Sequence, residues 1–276
     1  MQILNLINKK KSNIDYSISR FPDGEIQITL GEINHKDEVQ VVCRITSADE
    51  LFILMQVCDV LRRHGVLFYI SIYYLMSMRM DRVMDFNRPF SLSIVLNVLE
   101  NLGAGQIEVF SPHSEECFYR GKNTMFTELH VSEDIDYPDL SNYQILLPDA
   151  GAKERYSYLS YCNPITCSKV RDLATGKITE IKVDNPENIT DKPIVILDDL
   201  CDGGRTFIEI AKAIRAIKPN VELSISVEHM VNPKGIENLS KNFNHVWFTN
   251  SYKDWRAEFE KQSTSLPENV TQIDIV

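Results

Sequence analysis

The chain has 276 residues and a formal net charge of −10, from 29 basic and 39 acidic side chains. A negative balance of this size argues against non-specific binding to nucleic acid, so phosphate ligands must be met by local cations. The amino-terminal segment lacks the basic-then-apolar order of a signal peptide, and no apolar run reaches transmembrane length. We therefore expect a cytoplasmic protein without a membrane partner.

The six cysteines contain no CxxC pair, and 43% of the residues are hydrophobic. This composition favours reduced thiols and an ordinary apolar core over a disulfide framework or a zinc site. A chain of this length most often forms two domains.

Apolar strands alternate with amphipathic helical stretches along both halves of the chain. The first half predicts strands at 39–45, 66–74 and 106–110, with helices at 49–64 and 89–102. The second half predicts strands at 143–147, 193–197, 221–227 and 245–248, with helices at 152–161, 206–217 and from 233. This repeated β-α-β order predicts two parallel-sheet α/β domains. The turn-rich segment 132–142 marks the boundary, which gives domains 1–137 and 138–276.

The most informative stretch begins with the apolar run 193–197. Two carboxylates, Asp198 and Asp199, follow it, and then come Gly203, Gly204 and the helix from residue 206. Acids at the carboxyl edge of a sheet bind hydroxyls or a metal, while glycines before a helix let backbone amides converge on an anion. Vicinal hydroxyls beside a phosphate are the chemistry of a ribose phosphate. The alternative is an Asp-rich turn that caps a helix.

This stretch resembles the ribose-phosphate loop of the type I phosphoribosyltransferase fold, which is shared by phosphoribosyltransferases and phosphoribosyl pyrophosphate synthetases. Four further stretches, in order, resemble the synthetase family, so the likeness spans most of the chain. It implies two phosphoribosyltransferase-like (Rossmann-like) parallel-sheet domains in tandem, with ATP bound by the first and ribose phosphate by the second.

In the first half, the segment from Phe21 through Asp23 to Glu25 resembles the family's FPDGE-type turn, which helps to hold the adenine of ATP. Standing alone, it would be taken for a Pro-Asp-Gly β-turn. The segment containing Arg79 and Asp81 resembles the family's RQD segment. The resemblance implies that Arg79 faces the ATP phosphates, where a planar cation fits best. A basic surface is the alternative.

His113 follows the strand at 106–110, as a histidine beside the Mg-ATP site does in the family. The resemblance makes it a residue that contacts ATP or the metal, and a structural histidine is the alternative. Asp149, in a stretch close to the family's Pro-Asp-Ala-Gly-Gly, is implied to be a carboxylate ligand of Mg²⁺.

Lys169 and Arg171 resemble the family's Lys-x-Arg and would share one face of a strand. They are implied to stabilise the charge on the transferred group, with residues 172–177 as a flap. The acceptor would be held by Asp198, Asp199, Asp202, Gly203, Gly204, Arg205 and Thr206. The implied reaction transfers the pyrophosphoryl group of ATP, with Mg²⁺, to the anomeric hydroxyl of ribose 5-phosphate. The products are a 1-pyrophosphate and AMP, as in nucleotide biosynthesis.

Some positions depart from the family's pattern. Arg205 stands in the glycine turn, Ser111 replaces an acid and Met80 replaces an amide. Because the guanidinium suits a more highly charged acceptor, we hypothesise that ADP-ribose is an alternative acceptor, as in a phage-type variant linked to NAD metabolism. The resemblance also implies a homo-oligomer, a dimer or a hexamer. A phosphoribosyltransferase and a non-catalytic regulatory paralogue are the other interpretations.

Overall fold

The computed structural model describes residues 1–119, 124–130, 135, 137–171 and 178–276, and of residues 119, 169–171 and 178–180 it describes the backbone alone. The chain divides into two compact units, residues 1–132 and 133–275. No helix within the described ranges is long and apolar enough to cross a membrane.

The first unit is built on a parallel sheet of five strands in the order β1-β4-β5-β6-β7. These strands are β1 (Gln2–Asn5), β4 (Val39–Ile45), β5 (Phe68–Leu75), β6 (Gln106–Val109) and β7 (Met125–Glu128). A separate antiparallel hairpin consists of β2 (Tyr16–Arg20) and β3 (Ile26–Leu30). The helices are α1 (Ala48–Arg63), α2 (Ser91–Glu100) and α3 (Glu116–Tyr119), with a 3-10 turn at Lys9–Lys11.

Helix α1 begins where a reciprocal cap satisfies its first amides. The Ser47 side chain accepts a hydrogen bond from the Glu50 amide, and the Glu50 carboxylate accepts one from the Thr46 amide at 2.6 Å. The buried residues Leu54, Val57, Cys58 and Leu61 then recur at helical spacing and pack on the sheet. The cap and the apolar stripe together fix α1 directly after β4.

The second unit has a seven-stranded sheet in the order β10-β9-β8-β11-β12-β13-β14, parallel except for the β9–β10 pair. Its strands are β8 (Gln144–Leu147), β9 (Ile165–Arg171), β10 (Ile178–Val183), β11 (Ile194–Cys201), β12 (Leu223–Met230), β13 (His245–Thr249) and β14 (Val270–Ile273). From β8 the chain continues to β9 on one side, and later returns to place β11 on the other. The strand order therefore reverses between β8 and β11.

The α-helices in the described part of the second unit are α4 (Ala150–Arg155), α5 (Arg205–Ile217), α6 (Pro233–Ser240) and α7 (Trp255–Lys261). The buried face of α5 presents Phe207, Ile210, Ala211 and Ile214, an i, i+3, i+4, i+7 stripe that packs in the main core of this unit. The opposite side of the sheet carries a smaller core in which Tyr156 packs with Val195 and Leu197.

The predicted α/β class with parallel sheets is confirmed. The helix predicted at 152–161 was wrong in extent, because α4 ends at Arg155 and a 3-10 helix follows at Ser157–Cys162. The apolar strand predicted to end at residue 197 continues through both acids to Cys201. The boundary between the two units, after residue 132, lies slightly before the proposed division after residue 137. The six cysteines are free thiols.

Candidate active site

Three carboxylates lie at the point where the strand order of the second sheet reverses. Asp149 lies two residues after the end of β8, while Asp198 and Asp199 lie in the last half of β11, its parallel neighbour. In open parallel sheets, ligands bind outside the carboxyl ends of the strands at such a reversal. We call this set of groups, with the loop 202–206, the second-unit edge.

The carboxylates of the second-unit edge interact with each other. Burial first, and then the neighbouring Asp199 and Asp149, raise the pKa of Asp198 well above its ordinary value. Asp198 also accepts a hydrogen bond from the Asp199 amide at 3.0 Å, and Asp149 caps α4 by accepting one from the Ala152 amide at 3.1 Å. Such a set favours binding of a cation or of hydroxyl donors.

Asp199 is the more deeply buried of the pair and has a cation beside it. Its Oδ2 lies 2.9 Å from Nη1 of Arg155, and the two side chains are 4% and 20% exposed. Tyr156 follows Arg155 and is buried against β11, where burial, Glu228 and Asp198 raise the pKa of its hydroxyl. The sequence interpretation missed Arg155 and Tyr156, because they lie at the end of a helix with no glycine or acid motif to mark them.

A fourth carboxylate lies on the next strand. Glu228 is in β12 between Val227 and His229, which pair with Asp198 and Leu200, so Glu228 runs alongside Asp199. Its carboxylate accepts a hydrogen bond from Tyr137, and burial together with this acid raises the pKa of that hydroxyl. A single glutamate in an apolar strand gave no signal in the sequence.

The composition of the loop after β11 predicts a positive φ at its two glycines, and the structure shows it at one of them. Gly204 has φ +76° and is the N-cap of α5, whereas Gly203 does not have a positive φ. Helix α6 packs against the loop so closely that a Cβ on Gly235 would lie 2.2 Å from the Asp202 carbonyl oxygen.

Two asparagines of the α6 region hold the same loop. Asn232 donates to the Asp202 carboxylate, and Asn238 donates to the Gly203 carbonyl oxygen, each at 2.9 Å. Arg205 and Thr206 are the first two residues of α5, where helix amides have no intrahelical acceptor. The exposed Arg205 thus lies at a helix N-terminus that favours anions.

Lys169 and Arg171 lie in β9, which pairs with β8 through Leu146 and Leu147. The structure therefore puts both residues in a strand, and their side chains lie outside the description. The proposed flap at 172–177 also lies outside the described residues.

In the first unit, two loops meet at the carboxyl edge of adjacent strands. Arg79 and Asp81 follow β5, and His113 and Ser114 follow β6. The buried Asp81 accepts from Arg82 at 2.9 and 2.8 Å and from the Ser114 hydroxyl, and these hydrogen bonds lower its pKa. The structure therefore brings Arg79, Asp81 and His113 to one edge, which with Ser114 we call the first-unit edge.

The backbone at the first-unit edge departs from the usual conformations. Ser77 and Ser111 have φ of +67° and +40°, values that non-glycine residues rarely adopt. Each residue lies just beyond the carboxyl end of its strand, and such strain often accompanies functional loops.

The segment Phe21 to Glu25 is the turn of the β2–β3 hairpin, closed by the Phe21 amide donating to the Glu25 carbonyl at 2.8 Å. The Asp23 carboxylate accepts from the Glu25 amide at 3.1 Å. Arg20 joins this turn to the start of α1, since it donates to the Gly24 carbonyl at 2.7 Å and lies 2.6 Å from the Asp49 carboxylate. The β-turn alternative is thus correct as local structure.

The chemistry of the second-unit edge fits a hard cation held in part by a ligand. Among the described residues, no group of three or more His, Cys, Asp or Glu side chains forms a complete metal site. Mg²⁺ commonly takes one or two carboxylates and completes its shell with water and phosphate oxygens. Asp149 has the oxygen chemistry for this, whereas His113, the other proposed ligand, belongs to the first unit.

Comparison with known proteins gives a consistent set of relatives. The ribose-phosphate pyrophosphokinase of Sulfurisphaera tokodaii is 26% identical over 244 residues, 79% of this chain and 78% of the relative. That of Saccharolobus solfataricus is 27% identical over 213 residues, 70% of this chain and 68% of the relative. The solved phosphoribosylpyrophosphate synthetase of Mycobacterium smegmatis has a TM-score of 0.72 at 17% identity, over 97% of this chain and 88% of that chain. No family model matches.

Two parallel-sheet units in tandem, the second with acids and a glycine turn at its strand reversal, define a tandem phosphoribosyltransferase-like fold. Within that fold, the chain is similar to the ribose-phosphate pyrophosphokinases, so the resemblance predicted from its motifs is confirmed. These relatives also support the predicted class of enzyme, a pyrophosphotransferase.

Proposed function

We propose that this chain transfers the pyrophosphoryl group of ATP to the anomeric hydroxyl of a 5-phosphoribosyl acceptor, with ribose 5-phosphate as the first candidate. The oxygen of that hydroxyl attacks the β-phosphorus, the bond from the β-phosphorus to the α-phosphate oxygen breaks, and AMP leaves. The observation that carries the proposal is the second-unit edge, where acids for sugar hydroxyls precede a helix N-terminus suited to a phosphate.

The roles of the acceptor residues follow from their positions. Asp198 and Asp199 form the acidic part of the site for the ribose hydroxyls, and Asp198 is the less buried of the two. Gly203, Gly204 and Thr206 form the cup for the 5-phosphate, since the first amides of α5 open there. Asp202, held by Asn232, fixes the loop. Loop and helix together bind and orient the sugar.

The residues for the donor are assigned by the resemblance of their motifs. Phe21, Asp23 and Glu25 contact the adenine side, and Arg79, Asp81 and His113 contact the phosphates or the metal. The meeting of Arg79, Asp81 and His113 at the first-unit edge supports this assignment. Lys169 and Arg171 stabilise the charge on the transferred group. Asp149, with His113 as a second candidate, would hold Mg²⁺, which when bound neutralises phosphate charge.

ADP-ribose is a second candidate acceptor, and Arg205 is the observation that favours it. Arg205 is exposed and is the first residue of α5, directly after the N-cap Gly204. A diphosphate placed there would carry more charge than a single phosphate ester, and a planar fork binds such oxygens well. We expect Arg205→Gln to lower kcat/KM about tenfold for ADP-ribose and less for ribose 5-phosphate. Equal losses for both would count against ADP-ribose.

The decisive experiment incubates the chain with Mg-ATP and either ribose 5-phosphate or ADP-ribose, and follows AMP and the 1-pyrophosphate product by ³¹P NMR. Formation of both products, lost in Lys169→Ala, is the expected result. Turnover of neither acceptor would overturn the kinase proposal and favour a non-catalytic paralogue. A phosphoribosyltransferase would instead release pyrophosphate from phosphoribosyl pyrophosphate only when a base is added.

We also propose a cytoplasmic homo-oligomer. The loop after Asp81 exposes Val83, Met84 and Phe86, the last 99% exposed, and adjacent exposed apolar side chains commonly mark protein contacts. Sedimentation velocity of the parent and of Phe86→Ser is the test. A parent that sediments as a monomer would contradict the proposal.

A further inference from the structure

Arg155 is a partly buried cation to which the motifs of the sequence assign no role. Its Nη1 lies 2.9 Å from Oδ2 of Asp199, one of the carboxylates of the second-unit edge. Both partners are largely shielded from water, so the attraction is stronger than that of an exposed pair.

The helix that ends at Arg155, α4, is anchored at its start and directly after its end. Asp149 caps the start of this six-residue helix, and Tyr156, directly after its end, is buried against Val195 and Leu197. The backbone at Arg155 is therefore anchored beside β11 by the buried Tyr156. A short helix thus connects the carboxylate proposed for Mg²⁺ to the cation beside Asp199.

Arg155 is connected through Asp199 to Asp198, the acid proposed to contact the sugar. Asp199 faces Arg155 with its carboxylate, while its backbone amide donates to Oδ1 of Asp198 at 3.0 Å. Asp198 is the less buried acid. The two acids consequently have different surroundings, since Asp199 lies beside a guanidinium and Asp198 is the less buried of the two.

We propose that Arg155 is a positioning residue for the acceptor site: it holds Asp199, and through Asp199 it orients Asp198 toward the acceptor's vicinal hydroxyls. This inference rests on the proposed function. Asp198 then contacts the acceptor directly, and Asp199 acts indirectly. Loss of Arg155 should weaken binding of the acceptor sugar and leave binding of ATP unchanged.

The variants are Arg155→Gln, Arg155→Lys and the double variant Arg155→Gln with Asp199→Asn. Arg215→Gln is the matched control, because Arg215 is also in the second unit and donates to a backbone carbonyl, that of Asn242, at 2.8 Å. Both tryptophans of the chain, Trp247 and Trp255, lie in the second unit, so their fluorescence reports whether each variant is folded there.

Binding of ribose 5-phosphate is measured by calorimetry without ATP, and then KM and kcat are measured with Mg-ATP. We expect Arg155→Gln to weaken acceptor binding and raise acceptor KM about tenfold, with KM for ATP changed by less than about twofold. Lys at 155 should restore part of the loss, because it keeps the charge without the planar fork. The double variant should lose little more than Arg155→Gln alone.

A folded Arg155→Gln variant with the parent's affinity for ribose 5-phosphate would overturn the inference. So would equal increases of KM for acceptor and ATP, or a comparable loss in Arg215→Gln. If the parent binds ribose 5-phosphate but forms no product, the proposed reaction fails while calorimetry still tests Arg155. If the parent binds neither ribose 5-phosphate nor ADP-ribose, both proposals fail.

Discussion

The polar edges of the two units differ in the contacts that determine their geometry. The sheet of the second unit reverses its strand order between β8 and β11, whereas the described strands of the first unit run β1-β4-β5-β6-β7 without a reversal. At the second-unit edge the geometry depends on glycines, with Gly204 at φ +76° and Gly235 against a carbonyl. At the first-unit edge it depends on side chains and on strained serines. Backbone contacts determine the geometry of the second-unit edge, whereas side-chain hydrogen bonds determine that of the first-unit edge.

This difference explains which changes should be severe. A glycine in close contact with backbone tolerates no side chain, because neither atom can rotate away. A side-chain tie at a partly exposed loop can be replaced by water at small cost. We therefore expect the largest effects at the second-unit edge and smaller effects at the first-unit edge.

The largest effect is expected for Gly235→Ala. The added Cβ would lie 2.2 Å from the Asp202 carbonyl oxygen and 3.0 Å from the Met230 sulfur, so α6 must move off the loop. We expect a loss on the order of 3 kcal/mol in the free energy of unfolding. Urea titration followed by tryptophan fluorescence measures it. Gly203→Ala is the control for stability, since its Cβ would meet nothing within 4 Å. Equal midpoints for the two variants would contradict the proposed role of the contact.

The next effect is a gain in stability with a loss of function, for Asp198→Asn. The pKa of Asp198 in the folded chain is raised above its ordinary value of 3.8, so the folded state binds this proton more tightly than the unfolded state. The free energy of unfolding therefore falls as the pH rises above the ordinary value. Removing the charge should make the variant more stable than the parent near neutral pH, and the difference should shrink toward pH 4.

The measurement for Asp198→Asn is urea unfolding with EDTA present at both pH values, together with calorimetry of ribose 5-phosphate. Acceptor binding should be lost while stability rises. A variant that is no more stable than the parent near neutral pH would show that burial and the neighbouring acids do not raise the pKa of Asp198.

A smaller effect is expected in the first unit for Asp81→Asn. The amide weakens the hydrogen bonds from Arg82 and Ser114, so the loops after β5 and β6 separate more easily. We expect KM for ATP to rise several-fold and unfolding to lose about 1 kcal/mol. Because the pKa of Asp81 is lowered, its contribution should vanish as the pH falls through that pKa. Tryptophan fluorescence should not change, since both tryptophans are in the second unit. An unchanged KM for ATP would contradict the donor assignment.

The contrast also explains how much could be predicted from the sequence. The alternation of strands and helices was enough for the α/β class, and the acids and glycines at 198–204 were enough to locate the second-unit edge, because each signal lies within one short segment. Arg155, Glu228 and the asparagines that hold the loop act across sheet neighbours, and no local pattern records that contact. The hairpin strands β2 and β3 were missed, and β2 is exposed at every residue but Tyr16.

The smallest effect is expected for Arg20→Gln at the hairpin turn. Arg20 joins Gly24 and Asp49 through exposed contacts, and exposed pairs of this kind contribute about 0.5 kcal/mol. Stability should therefore change little. If the turn Phe21–Glu25 contacts ATP, loosening it should still raise KM for ATP, with acceptor KM unchanged. Lys36→Gln, an exposed lysine elsewhere in the unit, is the control for lost charge. An Arg20 variant that behaves like this control would mean that the turn has only a structural role, and the first-unit edge would then be the remaining candidate for ATP.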